Sequence, residues 1–106
     1  MKIGIILCTK EPEKAFNAFR FANFALQKRK VNFFLFGEGV EVNEIEDKEF
    51  NVKEELMKFM QNKGTLFSCG SCMKLREKEE SKTCPISTMS DLMKLVEGSD
   101  KIVSFG

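Results

Sequence analysis

Lys2-Ile3-Gly4-Ile5-Ile6-Leu7-Cys8 is a nearly unbroken apolar run, rich in Ile and too short for a helix. It lacks the apolar–polar alternation of a half-exposed strand and reads as a strand buried on both faces. The segment after it sets the class of the fold. Pro12 suits the first turn of a helix, and Ala15, Ala18, Phe19, Ala22, Ala25 and Leu26 recur at helical spacing through to Lys28 and Arg29.

The alternation continues to the end of the chain. Val31 to Phe36 is strongly β in composition and is closed by Gly37-Glu38-Gly39-Val40. Asn51, with Glu54 three residues later, marks a second helix with Val52, Leu56, Phe59 and Met60 on one stripe and Gly64 as its stop. Thr65 to Ser68 reads as a third strand. A charged segment from Met73 to Lys82 reads as a short helical turn bearing Arg76, and Cys84 to Ser87 as a brief fourth strand. Thr88 and Asp91 start a last helix with Met89, Leu92, Leu95 and Val96 on its apolar side and Gly98 at its end; Lys101 to Phe105 closes the chain as a strand. Strands alternating with helices predict a three-layer α/β/α fold with a mostly parallel sheet of four to five strands. A chain of 106 residues has room for one domain, spanning 1–106.

Apolar residues make up 42% and charged residues 31%, with a net charge of +1. That balance belongs to a globular protein and gives no global field toward nucleic acid or anionic lipid. No stretch approaches the roughly 20 apolar residues of a membrane span. Met1 to Thr9 lacks the features of a signal peptide, so the expected location is the cytoplasm. Thiols stay reduced there, and Cys8, Cys69, Cys72 and Cys84 read first as metal, redox or catalytic groups. The chain has no His. A Cys-His pair within one subunit is therefore impossible, as is imidazole ligation of zinc.

Two features lie outside the core pattern. Phe16, Phe21 and Phe24 fall largely off the apolar stripe of the first helix. Either another part of the chain covers them or they form a subunit interface. From Glu38 to Glu49 six acids stand against one Lys without helical periodicity, which reads as an exposed loop or lid, or as a docking surface for a basic partner.

The chemistry gathers at Cys69-Gly70-Ser71-Cys72, on the exit of the third strand. Reactive groups of parallel sheets collect beyond the carboxyl ends of the strands. A cysteine there that opens a helix can take backbone N–H hydrogen bonds, and Lys74 and Arg76 add positive charge, both of which favour the thiolate. Cys72 falls one turn onward on the same side, as a resolving thiol would. Cys8 reads as core packing and Cys84 stays open. Cysteine-ligated metal would need a second pair, which the separated Cys8 and Cys84 match poorly.

The order of elements, the Phe36-Gly37-Glu38-Gly39-Val40 segment, Cys69 followed seven residues later by Arg76, and the closing Asp91-Leu92 to Phe105 segment together resemble the DsrE/DsrF-like family. The resemblance spans nearly the whole chain and is sharpest from Cys69 to Arg76, as in members with a Cys-Gly-x-Cys variant. It implies a parallel α/β domain, homo- or hetero-oligomers, and a cysteine, matched here by Cys69, that carries sulfur as a persulfide between donor and acceptor proteins. Where the family motif commonly ends Arg-Gly, this chain has Arg76-Glu77. The expectation is thus a sulfurtransferase-like carrier with Cys69, Cys72 and Arg76 at its site and no cofactor or metal. The alternatives are a thioredoxin-like dithiol–disulfide oxidoreductase using Cys69 and Cys72, and a cysteine-ligated metal module.

Overall fold

The computed structural model describes residues 1–83 and 85–106; Cys84, with the strand start and the open thiol role read there, lies outside the described residues. The strands are β1 (Lys2–Leu7), β2 (Lys30–Leu35), β3 (Thr65–Cys69), β4 (Ile86–Ser87) and β5 (Lys101–Phe105), and the helices α1 (Pro12–Leu26), α2 (Val52–Gln61), α3 (Gly70–Leu75) and α4 (Met89–Gly98). All neighbours run parallel, in the order β4-β3-β2-β1-β5. The chain steps outward from β1 to β4 and then returns across the sheet to β5.

The buried strand read at residues 2–8 is an inner strand, paired on both sides. Its alternate residues meet different layers. Ile5 is paired with Phe33, whose ring lies flat on Phe19 of α1 at 4.2 Å, with Phe59 of α2 edge-on at 5.6 Å. Gly4 points the other way, where a Cβ would fall 2.8 Å from Leu95 of α4. Helices therefore cover both faces of an all-parallel sheet. Helix starts obey the spacing read from the sequence: the Asn51 side chain accepts from the Glu54 N–H, and Thr88 and Asp91 form a reciprocal capping box. Among the described residues no helix is long and apolar enough to cross a membrane.

The structure corrects three expectations. The acid-rich stretch after β2 is an exposed loop only in its second part, 46–49, because Gly37–Glu44 forms a 3₁₀ helix with Val40 and Val42 fully buried. Gly39 makes this possible: a Cβ there would sit 2.1 Å from the Leu7 carbonyl oxygen, so only glycine lets the segment lie against the end of β1. The acids project from a backbone whose two valines are core, which is why their charge alone suggested a solvated loop. The second correction is α4, whose apolar side is mostly uncovered. Leu95 is buried and Leu92 half-buried, whereas Met89, Met93 and Val96 are exposed. The third is the turn bearing Arg76: α3 begins at Gly70 and ends at Leu75, leaving Arg76 as its C-cap. As for the extra phenylalanines, Phe16 packs on Phe50 within the chain, while Phe21 touches Phe105 and stays partly exposed, and Phe24 is 71% exposed.

Truncating the stacked ring, Phe19→Ala, is expected to cost about 3–5 kcal/mol, and Phe24→Ala to stay within about 0.5 kcal/mol. Urea unfolding of the two variants measures both, and equal losses would contradict the central place of the Phe19 ring in the core.

Candidate functional site

The register brings Leu7, Leu35 and Ser68 level across β1, β2 and β3, so the segments that leave these strands meet at one edge of the sheet. Cys8, Gly37 and Cys69 are the residues found there. Each strand has just ended or is ending, so the backbone turns and side chains of different elements converge.

Cys69 is the last residue of β3 and the N-cap of α3. Its side chain takes no capping hydrogen bond, and the residue is 4% exposed. The sequence reading gave it backbone N–H donors at the start of its own helix. Instead, the backbone donor serves Cys72 and comes from another element: the Gly37 N–H donates to Cys72 Sγ at 3.3 Å. Gly37 has φ +57, in the left-handed region that glycine occupies without strain, and this turns its N–H toward α3. Cys72 is half-buried and is the outward member of the pair.

The two thiols are free and near enough to influence each other's ionisation. Burial pushes the Cys72 thiol up, and the hydrogen bond with Cys69 adds to this; the Gly37 N–H and the Arg76 guanidinium pull the other way. The net effect keeps the proton on Cys72.

Arg76 is committed on two sides. Its Nε donates to the Glu41 carboxylate at 3.1 Å and its Nη1 to the Cys72 carbonyl at 3.2 Å. Lys10, from the loop after β1, lies 3.6 Å from the same carboxylate. Lys78 Nζ donates to Asn43 Oδ1 at 2.6 Å, tying the 3₁₀ helix to the segment after α3 a second time. Lys74, the other cation read from the sequence, is exposed. Sequence reading missed Glu41, Lys10 and the donor at Gly37; the two glycines at the exit of β2 were the one local sign that backbone would approach closely there.

Cys8 lies just past β1, half-buried, with its N–H donating to the Phe105 carbonyl at 2.9 Å. Burial pushes its thiol up. Among the described residues no three Cys, Asp or Glu side chains gather closely enough to hold a metal ion, so Cys8 does not complete a ligand set with the pair. A groove of about 860 Å³ between α1 and α2, lined by residues including Arg20, Phe24, Glu55 and Lys58, has no cysteine in its lining.

Comparison with known proteins bears on the family and the fold. An uncharacterized protein of Methanocaldococcus jannaschii is 36% identical over 115 residues, covering 99% of this chain and 100% of that protein. A conserved protein of unknown function from Bacteroides thetaiotaomicron has the same fold, with a TM-score of 0.76 at 18% identity over 97% of this chain and 93% of that one. The model of the DsrE/DsrF-like family matches residues 1–105, and with the parallel sheet and the cysteines at its carboxyl edge in view, the chain belongs to that family.

Proposed function

We propose that this protein is a sulfur-relay carrier that holds sulfane sulfur as a persulfide on Cys69, with Cys72 as its partner thiol. The observation that carries the reading is the pair itself: two free, neighbouring thiols at the carboxyl edge of a parallel sheet, in a family that works in sulfur relay. Cys69 is assigned the attack because it is the cysteine that matches the family's sulfur-carrying position.

In the loading step the Cys69 thiolate attacks the terminal sulfur of a donor persulfide. A bond forms between Cys69 Sγ and that sulfur, the donor's S–S bond breaks, and the donor leaves as a thiolate. Unloading is the same exchange in reverse, onto the thiolate of an acceptor protein, with no net oxidation. The nearly closed setting of Cys69 shields the cargo, while Cys72 is the more exposed of the two. The cytoplasm, where thiols stay reduced, is the compartment that suits such a carrier.

The two free thiols one helical turn apart also favour a second reading, dithiol–disulfide exchange. Against it stands the placement of the motif after the third strand of an all-parallel sheet. A measured reduction potential and insulin reduction separate the two readings.

Incubation with a persulfide donor, then peptide mass spectrometry, is expected to show one added sulfur on the Cys69 peptide, retained in Cys72→Ser and lost in Cys69→Ser. No added sulfur on Cys69, under conditions that load a known carrier, would falsify the proposal.

The relay also needs protein partners, and we assign the uncovered Phe21 and Phe24 of α1 to a contact between copies of this chain. Sedimentation is expected to show an oligomer that Phe21→Glu and Phe24→Glu reduce in mass. An unchanged mass of the folded variants would remove that interface.

A further inference from the structure

Glu41 stands in no sequence motif, yet it is the meeting point of three elements at the site. Its carboxylate receives Arg76 Nε from the end of α3 and Lys10 Nζ from the loop after β1, and it sits on the 3₁₀ helix that also supplies the Gly37 N–H to Cys72. We propose that Glu41 is a positioning residue of the dithiol, holding the Arg76 guanidinium against Cys72.

Two observations separate this from a plain staple between elements. First, the 3₁₀ helix does not depend on the ion pair for its place, since Val40 and Val42 are fully buried beneath it and Lys78 holds Asn43. What the carboxylate fixes is the direction of a side chain that would otherwise sample many rotamers. Second, the guanidinium is aimed by two bonds, one to Glu41 and one to the Cys72 carbonyl, with the Arg76 and Glu41 side chains each 25% exposed. Removing the first leaves a single neutral acceptor to orient a cation on the rim of the site.

The groups that face the Cys72 thiol are Cys69 from β3, the Gly37 N–H from the 3₁₀ helix and Arg76 from its own helix, with Glu41 and Lys10 behind Arg76. Arg76 favours the thiolate, so its loss raises the titration point of the pair. Glu41→Gln keeps an oxygen that accepts from Arg76 Nε and removes the negative charge, so the held cation acts unopposed and the titration point falls. Glu41→Ala removes the charge and also frees Arg76, whose effect on the thiol is then lost, so the titration point rises above that of the native protein. Two substitutions at one position thus move the same quantity in opposite directions.

This inference rests on the dithiol being the working site, but its test needs no sulfur donor and can fail while persulfide loading succeeds. The measurement is the pH profile of iodoacetamide alkylation at Cys72 in the folded full chain, read by peptide mass spectrometry. At neutral pH Glu41→Gln is expected to react roughly two- to fivefold faster than the native protein, and Glu41→Ala and Arg76→Gln slower by a similar factor. Identical profiles for Glu41→Gln and Glu41→Ala would overturn the proposal, since a charge without a positioning role, or a staple without an electrostatic one, treats both alike. Should Glu41→Ala fail to fold, Glu41→Met, which fills the same space and lacks both the charge and the acceptor, takes its place: slower alkylation than the native protein supports the assignment, and a profile identical to that of Glu41→Gln sinks it.

Discussion

A side chain at position 39 could not coexist with the carbonyl of Leu7, and much of the site's geometry depends on that contact. With glycine there, the backbone of the 3₁₀ helix lies against the end of β1 and carries its neighbours along. Gly37 is then placed to donate to Cys72, Val40 and Val42 enter the core, and Glu41 comes to rest beside Arg76. The close approach is local, but its effect is to draw the exits of three strands into one cluster of polar and sulfur groups. Apolar burial supplies the stability, and the polar contacts set directions.

The division of labour between the two cysteines comes from their positions on this frame. Cys69 ends a strand and is enclosed by the elements around it, while Cys72, one turn into α3, reaches back over the exit of β2. Their environments therefore differ although only two residues separate them. A half-buried thiol whose proton is held by burial, beside one that is enclosed, forms an asymmetric pair.

Much of the fold was legible in the sequence because it depends on patterns that survive in one dimension. The run from Lys2 to Leu7, the helical spacing of Ala15 to Ala22 and the pairs Asn51/Glu54 and Thr88/Asp91 each encode an element through burial or capping, which are local or periodic. The Cys69-x-x-Cys72 pair was legible for the same reason, since one helical turn fixes its spacing. The rest depended on contacts between residues far apart in the chain. Nothing near Glu41 announces Arg76, which lies 35 residues on, and the hydrogen bond from Gly37 to Cys72 spans the same separation. The acid-rich composition around Val40 and Val42 hid two core residues, and the uncovered side of α4 looked like an ordinary buried stripe because periodicity records a face without saying what meets it.

The enclosure of Cys69 also bears on timing. A sulfur atom in a residue 4% exposed meets dissolved thiols only when the surrounding segments part. The lifetime of anything bonded to it is then governed by how often this corner of the protein opens, rather than by how much free thiol the surroundings contain. The chemistry of this sulfur is in that sense set by the local stability of the fold around it.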